Sequence, residues 1–366
     1  MAESDIRGVW PSGFAPVKAA FEANFAEGLE LGARYSLAVE GEIVVDLMGG
    51  FADRAGTRLF AEDTLTPIFS TTKALASLMI ARLVEAGKLA YDQPVADLWP
   101  AFGQAGKGRL TVEEVLSHQA GLCGLPGPMT PDDWFDWYGV CERLAAMAPL
   151  WPPGTASGYH PVTFGYLAGE IFRRADGRTL GRALREDIAA PLGLDLWIGL
   201  PDAEHARVAE VRRPSALPDL GPITQPKELA FLTSWAQPSA ADAGRLRRAD
   251  IPSVSGQATA AALARLMSIL ATSPGLAAEA SRPRIGGQDL VLPYRLSWGA
   301  GFLRNEGLGI YGPGRQTFGH SGWGGSCAFA DPERGIAGAY VMNRQSSALI
   351  GDARARRLID AAYASL

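Results

Sequence analysis

Ser70-Thr71-Thr72-Lys73-Ala74-Leu75-Ala76-Ser77-Leu78-Met79-Ile80-Ala81 is the stretch on which the architecture of this 366-residue chain turns. From Ala74 to Ala81 no charge falls on any helical face, and a helix apolar all round is buried at the centre of a protein. Gly87 ends it. At the head of such a helix Ser70 and Lys73 stand one turn apart, with Cβ atoms about 5–6 Å from each other. The lysine amine can then reach the serine hydroxyl. Desolvation there lowers a lysine pKa and makes the amine a base. The helix N-terminus adds N–H groups and a positive dipole end where an oxyanion would form. The same residues also fit a capping serine and a lysine that snorkels to water. The pattern therefore needs support from elsewhere in the chain.

Upstream, Val17, Phe21 and Phe25 recur at helical spacing within residues 14–28, with Lys18, Glu22 and Glu27 between them and Gly28 at the end. This predicts an amphipathic helix. Tyr35–Val39 and Ile43–Leu47 flank Glu40-Gly41-Glu42, the pattern of a β-hairpin. Downstream, Thr111 precedes a short helix to Leu116 with acids in its first turn. Thr130-Pro131-Asp132-Asp133 reads as a capped helix start. Another helix covers Thr163–Arg173. Residues 201–250, rich in proline and polar groups, read as loops over a helical lobe. Ala258–Ala271 is helical. Leu296–Leu303, Thr317–Ala330 and Ile336–Asn343 read as strands, and an Ala-rich helix follows from about Ser347. This order predicts an α+β fold whose antiparallel sheet is built from both chain ends, with the helical middle inserted. The expected division is 1–75 with 245–366 as the sheet lobe and 76–244 as the helical lobe, with the site in a cleft between them.

The formal net charge of -5 gives no reason to expect nucleic acid or an anionic membrane as partner. Three cysteines without CxxC spacing argue against a disulfide framework and a zinc site, and four scattered histidines without an HxxxH pair argue against a metal. No metal or other cofactor is expected. The N-terminal residues lack the basic and apolar regions of a secretory signal, and no apolar run approaches the roughly 18–20 residues that span a bilayer. The expected location is cytoplasmic.

Support for the Ser70 pattern comes from two further motifs. One is Trp151-Pro152-Pro153-Gly154-Thr155-Ala156-Ser157-Gly158-Tyr159-His160-Pro161. The other is Gly319-His320-Ser321-Gly322-Trp323-Gly324-Gly325-Ser326 on an expected strand. In this order and at these separations the chain resembles the class C β-lactamase and D-alanyl-D-alanine-peptidase superfamily, and within it the β-lactamase-like, family VIII carboxylesterases. The resemblance spans nearly the whole chain, including Gly87–Asp92, Val115–Leu122 and Asp331–Arg344. It implies a β-lactamase/transpeptidase-like fold. It also implies that Ser70 attacks a carbonyl to form an acyl-enzyme, that Lys73 helps remove its proton, and that Tyr159 acts with Lys73 as base and then protonates the leaving group. His320-Ser321-Gly322 takes the place of the family's Lys-Thr-Gly strand motif. The N–H groups of Ser70 and Trp323 would form the oxyanion hole. His160 and Trp151 are expected to contact substrate.

Two departures bear on substrate. The family's Tyr-x-Asn is here Tyr159-His160-Pro161, and the strand lysine is His320. A neutral histidine is a poorer partner for the carboxylate of a β-lactam or peptide, so both changes favour esters. Trp323-Gly324-Gly325 can also be taken as the counterpart of Lys-Thr-Gly, which would move the oxyanion donor toward Ser326. Gly319–Trp323 nearly matches a G-x-S-x-G nucleophile elbow, but an elbow must enter a helix and this segment runs on into a strand. His118 fits a backbone contact at a helix end, and Asn343 a turn. Cys327 fits a small buried residue. Trp134, Trp137, Tyr138 and Trp151 fit either a lobe core or an apolar substrate wall. Three functions remain open: a serine esterase of short-chain esters, a β-lactamase or D-amino-acid peptidase, and a silent binding protein.

Overall fold

The computed structural model describes residues 6–237 and 241–366. Nine strands among them form one antiparallel sheet. They are β1 Arg7–Val9, β2 Gly32–Val39, β3 Glu42–Gly50, β4 Ile285–Gln288, β5 Arg295–Trp298, β6 Leu303–Arg304, β7 Phe318–Ser321, β8 Cys327–Asp331 and β9 Ile336–Met342. Their spatial order is β1-β3-β2-β9-β8-β7-β6-β5-β4. The two chain ends meet at β2 and β9, where Tyr35 lies opposite Tyr340 and Ala38 opposite Ala337. The expected hairpin is β2–β3. It closes through Glu40 and Gly41, whose φ angles of 49° and 86° give the twist a two-residue turn needs.

Six helices have ten or more described residues: α1 Ala15–Ala26, α2 Thr72–Glu85, α3 Trp137–Ala146, α4 Thr163–Asp176, α5 Ala260–Ala271 and α6 Ala353–Ala364. The period-two pattern of β9 decides how they cover the sheet. Ile336, Tyr340 and Met342 pack into the cluster that holds Val17 and Phe21 of α1 with Leu358 and Ile359 of α6. Ala337, Ala339 and Val341 belong to the other face, which carries α5. Fully burying a side chain such as Leu358 contributes about 1.5–3 kcal/mol. Helix α2 is buried at every position from Thr72 to Ala81, as its uncharged run predicts, and α4 packs on it. Gly87 (φ 68°) and Gly177 (φ 91°) follow the ends of α2 and α4.

Several boundaries differ from the expectation. Thr317–Ala330 is two strands, β7 and β8, because Gly324 (φ 84°) and Gly325 (φ 139°) turn the chain back between them. Leu296–Leu303 is likewise broken between β5 and β6, around Gly301 (φ 80°). Thr130 caps a 3-10 turn, Pro131–Phe135, and the α-helix starts only after Asp136, whose carboxylate accepts from the Gly139 N–H. The last helix begins at Ala353 with Asp352 as its cap, since residues 346–351 form a loop against the β7–β8 turn. Residues 201–250 include the helix Ala243–Arg248, and part of this segment lines the cavity described next.

Candidate active site

Ser70 lies in a 3-10 turn, Phe69–Thr71, two residues ahead of the first residue of α2, Thr72, rather than on the helix itself. Phe69 has φ 46°, a left-handed conformation costly for a bulky side chain. The surroundings enforce it. Ile68 N–H donates to Gly256 O at 3.0 Å, Gly256 N–H donates to Thr72 Oγ1 at 3.0 Å, and Ser326 Oγ donates to Ile68 O at 2.9 Å.

The Lys73 Nζ stands 3.2 Å from Ser70 Oγ, 2.7 Å from Pro161 O and 3.2 Å from Ser253 O. The side chain is wholly buried and no carboxylate pairs with it among the described residues. Burial holds its pKa well below the usual lysine range. A neutral amine fits this cage. Its Nζ donates to the two carbonyls and lies within hydrogen-bond reach of the Ser70 hydroxyl.

Tyr159 completes the group. Its ring stacks on Trp298 at 5.9 Å with an 8° interplanar angle, meets His118 edge-on at 4.9 Å, and lies 4.9 Å from Lys73 Nζ. Burial raises its phenol above the ordinary range, and a hydrogen bond with Ser70 opposes that shift. The Tyr159 backbone is fixed by Asp289, whose Oδ1 accepts its N–H at 2.9 Å. The same carboxylate takes Ser157 Oγ at 3.0 Å and the N–H groups of Val291 and Leu292 at 2.9 Å.

Strand β7 abuts this turn. A Cβ on Gly322 would overlap Ile68 O and Ser326 Oγ, so glycine is required for the close approach. His320 is buried, and its Nδ1 lies 2.8 Å from Ser321 O, so it carries the proton there and leaves Nε2 as an acceptor without a partner. Burial, then the nearby Lys73, pushes its pKa down to about 3. Among the described residues, neither the Ser70 nor the Trp323 backbone N–H donates to another turn or loop. Gly324 and Gly325 face Gln345 and Arg354 instead, with the Gly325 Cβ position 2.6 Å from Arg354 Nη2. His320–Gly322 and Trp323 therefore lie beside the Ser70 turn, Trp323 meeting Phe69 edge-on at 6.1 Å, whereas Gly324 and Gly325 turn away from it.

These groups open onto a cavity of about 310 Å³. Ser70, Tyr159, His320, Ser321 and Trp323 line it, with a wall that includes Phe231 and Trp298. No Asp, Glu, Lys or Arg lines it among the described residues.

The beta-lactamase family profile matches residues 21–363. The chain belongs to the beta-lactamase family. It is 37% identical to the esterase/beta-lactamase LipL of Mycobacterium tuberculosis (strain ATCC 25618 / H37Rv), over 92% of this chain and 82% of that protein. Among solved structures, a penicillin-binding protein homologue from Caulobacter crescentus is 62% identical with a TM-score of 0.97, covering 99% of this chain and 100% of the other. A family VIII carboxylesterase is 39% identical with a TM-score of 0.93 and the same coverage. The family resemblance and the β-lactamase-like fold expected from the motifs are thus both found.

Within this beta-lactamase-family site, two expected substrate contacts are not made. His160 is buried off the cavity. Its Nε2 accepts the Leu122 N–H at 3.0 Å and its Nδ1 meets Gly158 O at 2.7 Å, so both ring nitrogens serve the backbone. Trp151 also lies off the cavity. Its indole fills the space a side chain at Gly158 would need, and its Nε1 donates to Ala156 O at 3.0 Å. Both prop the Tyr159 loop. Ser321 lines the cavity, but its hydroxyl bonds Tyr311 OH at 2.9 Å. Sequence reasoning missed Trp298, Asp289 and Ser253. A lone tryptophan, a lone aspartate and a backbone carbonyl carry no local signal.

Proposed function

We propose that this chain is a serine hydrolase of neutral carboxylic esters, short-chain ones included, acting through an acyl-enzyme on Ser70. The observation that carries this reading is Ser70, Lys73 and Tyr159 set together at an apolar cavity without a charged wall. The neutral Lys73 amine takes the Ser70 proton as Oγ attacks the ester carbonyl. The N–H groups of Ser70 and Trp323 receive the oxyanion. As the tetrahedral intermediate collapses, the C–O bond to the alcohol breaks. Tyr159 gives its proton to the departing oxygen and is reprotonated from Lys73. Water then repeats the sequence on the acyl-enzyme and releases the acid. Burial raises the Tyr159 phenol and lowers the Lys73 amine, which supports Lys73 as the base and Tyr159 as the acid.

A β-lactamase or D-amino-acid peptidase is the second reading; the Mycobacterium tuberculosis relative, an esterase/beta-lactamase, is compatible with the ester reading and with the β-lactamase one. The neutral His320 and the uncharged wall oppose it, since no cation awaits a substrate carboxylate. The deciding experiment compares p-nitrophenyl butyrate with a chromogenic cephalosporin, for wild type and Ser70→Ala. Ester turnover should dominate in kcat/KM and fall at least about 10³-fold in folded Ser70→Ala. Equal efficiency on the cephalosporin overturns the ester reading. Folded Ser70→Ala that retains activity overturns the nucleophile. Absence of a fluorophosphonate adduct on Ser70 would point to a silent binding protein.

A further inference from the structure

The aromatic residues of the helical region were expected to be either core or substrate wall. They are neither alone. Trp134, Phe135, Trp137 and Tyr138 line a separate groove of about 450 Å³, larger than the catalytic cavity and sharing no lining residue with it. Trp134 is buried, Trp137 half-buried, and Tyr138 is 62% exposed, so the aromatic wall runs from the interior to the surface.

Arg173, Arg245 and Arg248 stand along the same groove. Arg245 lies 4.1 Å over the Phe135 ring and Arg173 5.5 Å over the Tyr138 ring. Arg245 pairs with Asp132 at 2.9 Å and Arg248 pairs with Asp202, and both pairs are solvent-exposed. Exposed pairs are weak, so an incoming anion can compete for these guanidinium groups. Arg173 shares Glu170 with Arg174, which leaves that trio with one positive charge in excess. Among the described residues, the one acid in the lining is Asp250. Its carboxylate is occupied by the Gly181 N–H at 2.9 Å, at the start of the helix Leu180–Leu184. The groove thus joins an aromatic wall to a rim of three guanidinium groups, each already paired with a carboxylate that an incoming anion must displace.

We propose that this groove is a second small-molecule site, for an apolar carboxylate of the kind that ester hydrolysis releases. The identity of the carboxylate as product rests on the proposed hydrolysis; the complementarity of the groove does not. Two connections lead from it to the catalytic group. Ile251 lines the groove, two residues before Ser253, whose carbonyl holds Lys73, and Val254 lines the catalytic cavity. Trp134 Nε1 donates to Trp235 O at 2.7 Å, next to Ala236 of the cavity wall. An occupant of the groove therefore bears on both the base and the substrate wall.

The test uses 4-phenylbutyrate as probe. Titrated into the full-length Ser70→Ala protein, it should give a saturable change in tryptophan fluorescence, and 4-phenylbutanamide should bind about tenfold more weakly. Arg245→Glu with Arg248→Glu should weaken 4-phenylbutyrate binding by a similar factor, and so should Tyr138→Ala, an exposed position that tolerates truncation. In wild type the probe should change kcat for p-nitrophenyl butyrate, not apparent KM alone. No saturable binding, binding indifferent to these substitutions, or purely competitive inhibition overturns the proposal, the last placing the ligand in the catalytic cavity. Because binding is read without turnover, failure of the esterase reading would leave this result interpretable.

Discussion

Lys73 is the residue whose environment says most about the chemistry. A lysine with two carbonyl acceptors, no paired carboxylate and no exposure is held ready to accept a proton. Tyr159 is the complementary case, a phenol held protonated by burial between Trp298 and His118. Replacing Tyr159 by Phe removes only a hydroxyl. We expect kcat to fall about 10²-fold with an unchanged melting temperature. A kcat near wild type would reduce Tyr159 to a packing residue. His320 tests substrate choice. Its pKa near 3 leaves it neutral at any pH where the enzyme would work. A lysine there would offer a substrate carboxylate a charge-assisted bond worth about 1.5–3 kcal/mol. His320→Lys should raise cephalosporin turnover relative to p-nitrophenyl butyrate by roughly tenfold or more. An unchanged ratio of the two kcat/KM values would remove His320 from the account of specificity.

At the scale of elements, the site depends on how the β7–β8 turn docks on the turn before α2. Ser326 is the clasp. Its hydroxyl donates to Ile68 O and lies 3.1 Å from Thr71 Oγ1, fully buried. That placement answers the rival reading of Ser326 as a nucleophile: it faces backbone, not the cavity. Ser326→Ala should therefore retain turnover while losing about 1–3 kcal/mol of stability, measured by denaturant unfolding. Gly322→Ala should behave in the opposite way. Its Cβ would force β7 away from Ile68 O and displace the Trp323 N–H. We expect kcat to drop about 10²–10³-fold, the range for losing one oxyanion donor, with circular dichroism still native. Ordinary kcat in a folded Gly322→Ala protein would separate Trp323 from the oxyanion hole.

At the scale of the molecule, buried imidazoles make stability depend on pH. His118, His160 and His320 are all held neutral by burial, with His160 and His320 pushed down to about 3. In the unfolded chain they take up protons near pH 6.5. The folded state binds fewer protons through that window, so stability is full above about pH 6.5 and is lost as pH falls toward 3. The melting temperature should decline steadily from pH 7 to pH 5. Buried Glu30 and Asp250, raised to about 7 and about 6, act in the opposite sense, so a flat profile would show that their proton uptake offsets that of the three rings.

What the sequence determined by itself was periodic or local. The uncharged run 74–81 dictated a buried helix, the spacing of Ser70 and Lys73 put both at its head, and the Glu40-Gly41 hairpin with the C-terminal strands predicted a sheet joined from both chain ends. The three motifs, in order, carried the family and the expectation that Ser70, Lys73 and Tyr159 act together. Tertiary structure decided the rest, because the deciding contacts join residues far apart in sequence. Asp289 reaches Tyr159 across 130 residues, Ser253 O reaches Lys73 across 180, and Ser326 reaches Ile68 across 258. It also decided that His160 and Trp151, adjacent to the site in sequence, turn away from it. A backbone N–H at Leu122 and the space over Gly158 claimed those side chains first, and an unsatisfied buried donor or an empty core costs more than a distant substrate contact returns.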